Sequence, residues 1–342
     1  MKIIECVPNL SEGRNKIALE KIKNSLKGIP NCSILNFEPD DDYNRTVITF
    51  AGDECGVLEG ALAMSRTAAQ EIDMRYHKGE HPRIGALDVV PFIPVKNTSI
   101  NDCIRISEQY GKIIADELNV PVFLYESSAR KTERINLSNI RKGEYEGLQE
   151  KLKDDNWKPD FGTSEFNPRL GTVVTGARFF LIAYNVNIKS EDIKYAKEIS
   201  EIIRESGTPK KDKGGKTVKQ NGQIVRDAGR LKNVKGMGIK LEKYDITQVS
   251  MNLTNYNITP LHIAYEEVKK EAERLGVKVS GSEIVGLVPL ETLLLAGKYY
   301  AQDQIMNEDS MVDLAIEKLG LNDIRPFNKK EKIIDYLIKD FI

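Results

Sequence analysis

The chain has 342 residues, which leaves room for two domains at about 100–200 residues each. Its 50 Lys and Arg nearly balance its 51 Asp and Glu, and 40% hydrophobic with 30% charged residues is typical of a folded globular protein. These numbers exclude a disordered or fibrous chain and argue against a protein that binds nucleic acid through overall positive charge.

The N-terminus and the cysteines bear on the cellular compartment. Glu5 and Pro8 interrupt the first residues before the apolar core of a signal peptide can form, and no apolar run approaches the roughly 18 residues of a membrane span. The four cysteines are far apart and form no CxxC pair: Cys6, Cys32, Cys55 and Cys103. We therefore expect a cytoplasmic protein with reduced cysteines, no disulfide and no cysteine-bound metal.

Strand and helix patterns alternate in the first part of the chain. Apolar periodicity and turn residues predict, in order, a strand at 2–8, a helix at 16–27, strands at 31–37 and 45–50 around a polar turn at 39–44, a helix at 55–72 and a buried strand at 84–95. A helix at 102–118 and a strand at 120–125 extend this β-α-β-β-α-β order. The pattern predicts a sheet with helices stacked on one face.

The second part of the chain repeats the same order of elements. The patterns predict a strand at 172–188, a helix at 191–205, two strands within 239–253, a helix at 261–275 and a strand at 278–288. We therefore expect an α/β (α+β) fold of two βαββαβ-like subdomains, each a β-sheet with helices on its outer face. Their limits are predicted at 1–178 and 179–326, followed by a C-terminal tail at 327–342.

Two stretches do not fit this regular pattern. The connection at 126–171 is turn-rich and has no clear periodicity, and long irregular connections are frequently functional. Residues 210–240 contain ten basic and two acidic residues, a local charge of +8, which leaves −9 for the rest of the chain. Such a segment is either a solvated flexible loop or a mobile rim that attracts an anionic substrate.

Histidine is scarce, so proton transfer by an imidazole near neutral pH has only His77, His81 and His262 to use. Residues 77–81 match the H-x-x-E-H pattern of a class of zinc peptidases, which needs both histidines on one helical face. Gly79 weakens a helix there, and Pro82 favours extended backbone at His81. A zinc site is therefore the weaker interpretation of this segment, and we expect no metal.

The other interpretation is an extended turn that leads into the buried strand and holds His81 at a sheet edge, with Arg83 two residues away. A purely structural histidine is the alternative to a catalytic one. Asn44 and Arg45, at the end of the predicted hairpin, either orient a substrate carboxylate or form an ordinary surface turn. His262 lies at a predicted helix start, where the helix dipole favours the neutral imidazole.

Several ordered blocks of the sequence carry a resemblance to a known family. They are ECVPNLSEGR at 5–14, NRTV at 44–47, HKGEHPRIGALD at 77–88, PFIPV at 91–95, GEY at 143–145, PDFG at 159–162, GAR at 176–178, QVSMN at 248–252 and GLVPL at 286–290. With these blocks the chain resembles the glutamate formimidoyltransferase (formiminotransferase) family, including the N-terminal part of the formiminotransferase-cyclodeaminases.

The resemblance implies two α/β subdomains with a folate site in the groove between them. The implied reaction moves a formimidoyl group from N-formimidoyl-L-glutamate to N5 of tetrahydrofolate, in histidine degradation. The family's catalytic histidine falls on His81, the expected proton shuttle, while Arg83, Asn44 and Arg45 are the expected binders of the substrate carboxylates. The family's folate-binding loop falls on Gly162, Thr163, Ser164, Glu165, Phe166, Asn167, Pro168, Arg169, Leu170 and Gly171.

The resemblance also implies the partners of the chain. Tetrahydrofolate, with or without a polyglutamate tail, is the expected co-substrate, and no metal, nucleic acid or membrane partner is expected. A homodimer through the N-terminal subdomain and a separate cyclodeaminase that consumes the product are further expectations. Two alternatives stay open: a folate enzyme that acts on 5-formyltetrahydrofolate, and a folate-binding protein without enzymatic activity.

Overall fold

A computed structural model describes residues 1–79, 81–220 and 222–341 of the chain. The chain divides into two compact units, whose main spans are Met1–Phe179 and Phe180–Lys339. Each unit contains its own β-sheet and its own helices. The predicted α/β fold with two sheet-containing subdomains is therefore confirmed.

The first unit contains the elements predicted from the first part of the sequence. Its strands are β1 (Ile3–Cys6), β2 (Asn9–Leu10), β3 (Cys32–Asp40), β4 (Arg45–Gly52), β5 (Leu87–Lys96), β6 (Val122–Glu126) and β7 (Val173–Ala177). Its α-helices are α1 (Lys16–Asn24), α2 (Glu54–Glu71), α3 (Ile100–Leu118), α4 (Leu137–Arg141) and α5 (Glu144–Lys151). Asn15, Asp53 and Ser99 cap α1, α2 and α3 by accepting hydrogen bonds from first-turn amides, which fixes where these helices begin.

The sheet of the first unit is built on the βαββαβ order. β1 lies between β4 and β5, and β3 pairs with the outer edge of β4, all antiparallel. The resulting order, β3-β4-β1-β5, is that of a split βαβ motif. β2 follows β1 and pairs with the same two neighbours. β7 then adds parallel to β5, and β6 adds parallel to β7.

Strand alternation gives this sheet two different faces. Ile4 and Cys6 of β1, Phe50 of β4 and Val122 of β6 pack with the apolar residues of α1, α2 and α3 in one large core cluster. The residues between them in sequence point to the other face, because successive strand side chains alternate. The three long helices therefore cover one face only, as predicted.

The connection between β6 and β7 covers part of the second face. Ile140 of α4 and Leu148 of α5 pack with Val89, Phe123 and Val174 in a smaller apolar cluster. Residues 126–171 are thus an ordered part of the first unit. Their helices are too short, five and eight residues, to produce a clear apolar period in the sequence.

The second unit repeats the arrangement of the first. Its strands are β8 (Ile182–Ile188), the two-residue strands β9 (Thr208–Pro209), β10 (Lys219–Gln220), β11 (Gln223–Ile224) and β12 (Arg226–Asp227), and then β13 (Val234–Leu241), β14 (Ile246–Leu253) and β15 (Val279–Val285). Its main helices are α6 (Ile193–Ile203), α7 (Leu261–Arg274), α8 (Leu290–Ala301) and α9 (Glu308–Lys318). The antiparallel order β13-β14-β8-β15 matches β3-β4-β1-β5 of the first sheet.

The prediction of one strand at 172–188 is wrong. Val173–Ala177 is β7 of the first sheet, whereas Ile182–Ile188 is β8 of the second. The residues between them include Phe179, Phe180 and Leu181, and no glycine or proline marks the change of sheet. The hydrophobic pattern alone therefore predicts a single strand here.

Residues 208–220 and 222–227 form a small arm on the second unit, which we call the basic arm. β9 pairs with β12 and β10 with β11, and the amide of Lys210 donates to the carbonyl of Val225 (2.8 Å). Five of its lysines are exposed: Lys210, Lys211, Lys213, Lys216 and Lys219. Among the described residues their ammonium groups have no ion-pair partner, whereas Arg230, beyond the arm, is bound by Glu267 and Glu271.

The residues after α9 fold against the second unit. Two short helices, α10 (Lys329–Lys332) and α11 (Ile334–Leu337), follow there. The Val288 amide donates to the carbonyl of Lys332 (2.9 Å), and the Ile334 amide donates to the carbonyl of Val288 (3.0 Å). Within the described ranges, every helix is too short or too polar to cross a membrane.

Replacing Arg134 with Ala is expected to destabilise the first unit. The Arg134 side chain is 1% exposed and donates to the buried Asp160 carboxylate (2.8 Å) and to the carbonyls of Asn156 and Lys158. Removing one partner of a buried ion pair typically costs about 3–5 kcal/mol. Urea unfolding followed by circular dichroism should show this loss in the free energy of unfolding.

The matched control for this variant is Arg130→Ala. Its guanidinium forms an exposed pair with Glu108 (3.1 Å), and such pairs contribute about 0–1 kcal/mol. Equal unfolding midpoints for the Arg134 and Arg130 variants would contradict the structural role given to Arg134.

Candidate functional site

The second face of the first sheet carries polar side chains where the helix-covered face is apolar. Glu5, Asn9, Arg45, Tyr125 and Arg178 alternate in sequence with residues of the helix-side core, so they point to the opposite face. We call these five residues the polar face. Charged groups with little exposure are costly on a sheet face unless they are paired or functional. The polar face is therefore a candidate for a functional site.

Arg45 is the central cation of the polar face. Its Nη2 donates to the Oδ1 of Asn9, and its Nε is buried without a hydrogen-bond partner in the described part of the chain. Burial lowers the pKa of Arg45 to about 10, and the neighbouring Arg141 contributes to this shift, while Asp88 opposes it. Arg45 therefore stays charged and keeps an unused donor, as a residue that binds an anion requires.

Arg141 brings a second guanidinium to the same place. It is the last residue of α4, and both its Nε and its Nη2 donate to the carboxylate of Asp88. That carboxylate also accepts a hydrogen bond from the Ile84 amide (3.0 Å). No motif in the sequence singled out Arg141, because α4 lies within the irregular connection and only the folded chain brings it to β5.

His81 lies beside these two arginines. Its imidazole is half-buried, and its Nδ1 is buried with no hydrogen-bond partner among the described residues. Burial, then the positive charges of Arg45 and Arg141, lower the pKa of His81 to about 4, while Asp88 and a smaller contribution from the backbone of Pro82 oppose the shift. His81 is therefore uncharged at neutral pH.

An uncharged imidazole beside two guanidinium groups has a defined chemical capacity. The imidazole can accept a proton from a nucleophile, and the guanidiniums can hold a carboxylate of the same ligand. A bound carboxylate would also offset the positive field that disfavours imidazolium, so His81 would hold a proton more readily with ligand present. The sequence predicted His81 and Arg45 for these roles, and the structure brings them together.

Arg83 is engaged elsewhere. Its side chain is 9% exposed, and its guanidinium donates to Glu144 (3.0 Å) and Glu146 (2.6 Å) at the start of α5. Its carbonyl also accepts the amide of Tyr145 (3.0 Å). The predicted carboxylate-binding position is thus filled by two carboxylates of the chain itself, and Arg83 joins the segment after His81 to α5.

Asn44 is likewise bonded within the chain. It has a positive φ of 48°, its Oδ1 accepts from the Gly13 amide (2.9 Å), and its Nδ2 donates to the Lys78 carbonyl (3.0 Å). Asn tolerates this left-handed conformation better than most residues. Asn44 therefore fixes the backbone from which Arg45 projects, and one donor and one acceptor of its side-chain amide are already used within the chain.

His77 has a structural hydrogen-bond pattern. Its Nδ1 accepts from Arg83 Nε (3.3 Å), which leaves the proton on Nε2 to be donated to the Asn44 carbonyl (2.9 Å). Burial lowers the pKa of His77 as well. Glu80, the fourth residue of the zinc-peptidase pattern, lies outside the described residues. Within them, no cluster of three or more His, Cys, Asp or Glu has the arrangement to hold a metal ion.

The predicted folate loop, 162–171, is bordered by two glycines that the fold requires. A Cβ at Gly162 would lie 2.4 Å from the Val120 carbonyl oxygen, and one at Gly171 would lie 2.4 Å from that of Ile84. Both glycines also have positive φ. Gly171 forms a bridge with Gly85, so the end of the loop is fixed next to the segment that begins at His81.

The rest of the loop is partly free. Asn167 Oδ1 accepts from the amides of Arg169 (3.1 Å) and Leu170 (3.0 Å), and Tyr145 donates to the Pro168 carbonyl (2.6 Å). Arg169 donates to the Gln70 carbonyl (2.6 Å). By contrast, residues 163–165 are exposed, and the Glu165 amide donates to the Thr163 hydroxyl (3.3 Å). This stretch therefore presents exposed side chains to a ligand.

The second unit has an open pocket that none of the sequence predictions named. Its volume is about 600 Å³, and its walls include Glu191, Asp245, Ser280 and Asp323. His262, in the same unit, stacks on Tyr299 with ring centroids 4.5 Å apart and does not line this pocket. The residues that line this pocket do not include an imidazole beside two guanidinium groups, the combination formed by His81, Arg45 and Arg141.

Comparison with known proteins gives two family matches that together span nearly the whole chain. The N-terminal subdomain of the formiminotransferase domain matches residues 3–178, and the formiminotransferase domain matches residues 183–339.

Relatives of two lengths align with this chain. The formimidoyltransferase-cyclodeaminase of Dictyostelium discoideum is 44% identical over 99% of this chain and 61% of its own length. The glutamate formimidoyltransferases of Streptococcus pyogenes serotype M1 and Thermoplasma acidophilum are each 40% identical, over 88% and 93% of this chain and 94% and 98% of their own lengths. The chain therefore spans about three fifths of the first relative and nearly all of the other two.

The imidazole of His81 is expected to titrate at higher pH when Arg45 is replaced by Met. Methionine removes a positive charge but keeps much of the buried volume, so the pKa should rise from about 4 toward the ordinary value of about 6.5. NMR titration of the three imidazoles measures this directly. Arg66→Met, which breaks an exposed pair with Glu117 (2.7 Å), should leave the midpoint of His81 unchanged; equal midpoints in both variants would show that Arg45 does not act on His81.

Proposed function

Because this chain belongs to the formiminotransferase family, whose two subdomains span nearly all of it, we propose that it transfers a formimidoyl group from N-formimidoyl-L-glutamate to N5 of tetrahydrofolate. The products are 5-formimidoyltetrahydrofolate and L-glutamate. The observation that carries the proposal is the uncharged His81 beside Arg45 and Arg141. Two relatives that align over nearly their whole length are named glutamate formimidoyltransferase, which supports the same reaction.

The proposed reaction needs one proton to move between two nitrogens. N5 of tetrahydrofolate attacks the formimidoyl carbon, an N5–C bond forms, and N5 gives its proton to His81. The tetrahedral intermediate then breaks its bond to the glutamate nitrogen, which receives that proton from His81 and leaves as an amine. One imidazole thus acts first as general base and then as general acid.

Arg45 and Arg141 are the proposed receptors of the carboxylates of formimidoylglutamate. The Nε of Arg45 has no hydrogen-bond partner among the described residues, and Arg141 is oriented by its contacts with Asp88. When a carboxylate binds between them, its charge offsets the field that disfavours imidazolium at His81. Substrate binding would thereby raise the proton affinity of His81 for the step in which it must accept the proton.

The loop at 162–171 is the proposed contact for tetrahydrofolate. Its last residue, Gly171, is bridged to Gly85, so a ligand on the loop can extend toward His81. Residues 163–165 are exposed, and the turn around Asn167 fixes the backbone beyond them. The cytoplasmic location and the homodimer expected from the sequence remain parts of this proposal.

His81→Ala is expected to lower the rate of transfer about 10²–10⁴-fold, the usual contribution of a general acid–base residue. The assay follows glutamate release from formimidoylglutamate in the presence of tetrahydrofolate. Folate affinity, measured by equilibrium binding, should stay close to that of the wild type. Added imidazole should restore part of the rate, because the cavity left by the side chain can admit it.

Two results would count against this role of His81. Transfer near the wild-type rate by the Ala variant would remove the assignment. A loss of folate affinity that by itself accounts for the loss of rate would make His81 a binding residue instead of a proton shuttle.

Neutralising Lys210, Lys211 and Lys213 together with Gln is expected to weaken the binding of polyglutamyl tetrahydrofolate more than that of the monoglutamate. These exposed lysines of the basic arm have no ion-pair partner among the described residues, so a polyanionic tail is their natural complement. The affinity of the wild type should fall with added salt, and the variant should show a flatter dependence.

The matched control neutralises Lys16, Lys27 and Lys112, which are exposed on the helix-covered side of the first unit. This control has the same change in net charge and should keep the salt dependence of the wild type. The same salt dependence for the wild type and the Lys210, Lys211 and Lys213 variant would leave the arm as a solvated segment.

A further inference from the structure

Glu5 is a buried acid that the proposed proton transfer does not use. It lies in β1 on the polar face, paired in register with Ala51 of β4 and Ile93 of β5. Glu5 is only 2% exposed. Neither of its carboxylate oxygens forms a hydrogen bond with a described residue. A buried carboxylate with no donor of its own is costly to maintain, so its presence requires an explanation.

The charge nearest to Glu5 comes from Arg178, which directly follows β7. Burial raises the pKa of Glu5 to about 7, and Arg178 is the influence that opposes this rise. Arg178 also lies beside the hydroxyl of Tyr125, which in turn lies near Arg141. Glu5, Arg178 and Tyr125 therefore continue the polar face from the His81 cluster along the sheet.

Glu5 lies several residues along the sheet from the contact between Asn9 and Arg45. Asn9, which contacts Arg45, is in register with Val89, whereas Glu5 is in register with Ile93, four residues further along β5. At about 3.3 Å per residue these positions are roughly 13 Å apart along the strand. Glu5 is therefore well separated from the contact between Arg45 and Asn9, and a ligand that reaches both places must be extended.

One edge of the pteridine ring of tetrahydrofolate can donate two hydrogen bonds to a single carboxylate. Its pteridine ring carries two adjacent donors, N3–H and the 2-amino group, with a carbonyl oxygen at C4 beside them. A carboxylate accepts two parallel hydrogen bonds in such an arrangement, and a guanidinium can donate to the neighbouring carbonyl. N5, the atom that reacts in the proposed function, belongs to the other ring of the pteridine.

We propose that Glu5 binds the donor edge of the pteridine ring of tetrahydrofolate, with Arg178 placed to donate to the C4 carbonyl. This assignment rests on the proposed function and names the group that would orient the ring of its co-substrate. The ring then extends from Glu5 toward the His81 cluster, with its reacting N5 in the half directed away from Glu5. Glu5 is a specificity residue in this scheme, and the ligand provides the hydrogen bonds that its carboxylate lacks.

The test compares two ligands that differ at one position of the ring. Folic acid has the 2-amino donor, whereas its 2-deamino-2-oxo analogue presents an acceptor there. Wild type should bind folic acid about tenfold or more tightly, as expected when an acceptor faces a buried carboxylate. In Glu5→Gln the side-chain amide can donate to the 2-oxo group, so the preference should disappear or reverse. Glu117→Gln, an exposed acid of α3, is the matched control and should keep the wild-type preference.

A second measurement uses the wild type alone and does not depend on whether the variant folds. Only the ionised carboxylate accepts both donors, so the preference for folic acid should increase between about pH 5.5 and 7.5, across the pKa of Glu5 near 7. The ionisable groups near Glu5 are Arg178, from the end of β7, and the Cys6 thiol, whose pKa burial raises well above the ordinary value. The raised pKa keeps the Cys6 thiol uncharged throughout this range.

The outcomes separate this inference from the proposed function. Equal affinity of the wild type for both ligands, or an unchanged preference in Glu5→Gln, would overturn the assignment of Glu5 even if formimidoyl transfer is observed. Preference for folic acid that is lost in Glu5→Gln would support it even if the formimidoyl donor proved to be a different compound. Binding of neither ligand by the wild type would overturn the assignment of Glu5, while the transfer assay with tetrahydrofolate tests the proposed function separately.

Discussion

Two guanidinium groups, those of Arg45 and Arg141, act on one half-buried imidazole, and the chemistry of the first unit depends on this placement. In water a histidine with an ordinary pKa is partly protonated near neutral pH. Burial and the two positive charges hold His81 in the uncharged form. The same charges that keep the base free are those that a carboxylate ligand would neutralise, so ligand binding and proton uptake are linked through one electrostatic interaction.

The residues around this cluster hold its parts in position. Asn44 links the start of β4 to the loops at Gly13 and Lys78. Arg83 joins the segment after His81 to α5 through Glu144 and Glu146. Arg141 is held in turn by the carboxylate of Asp88, and Arg45 by the side chain of Asn9. Rigid support of this kind reduces the reorganisation that a reaction would otherwise require.

Much of the fold could be predicted from the sequence, because apolar periods and turn residues are local signals. The two βαββαβ units follow from such signals, and so does the position of His81 after a turn and before β5. The strand at 172–188 could not be divided correctly, since the change of sheet after Ala177 is marked by no glycine or proline. Arg83 shows why the site could be predicted only in part. Its charge suits a substrate carboxylate, but the carboxylates that it binds, those of Glu144 and Glu146, are distant in sequence and could not be identified as its partners. Arg141 and Asp88 meet only in the folded chain for the same reason.

The position of β7 between β5 and β6 has a consequence for how the first unit is made. β6 pairs along its length with β7, yet the ribosome produces β6 first and the whole connection of α4 and α5 before the partner strand. Until residues 173–177 emerge, the edge of β6 that pairs with β7 has no partner strand, so its backbone donors and acceptors are exposed to other chains. Completion of the sheet is therefore a late, non-local event in synthesis. Once the chain has been synthesised as far as Phe179, the sheet of the first unit can be completed before the second unit begins to form.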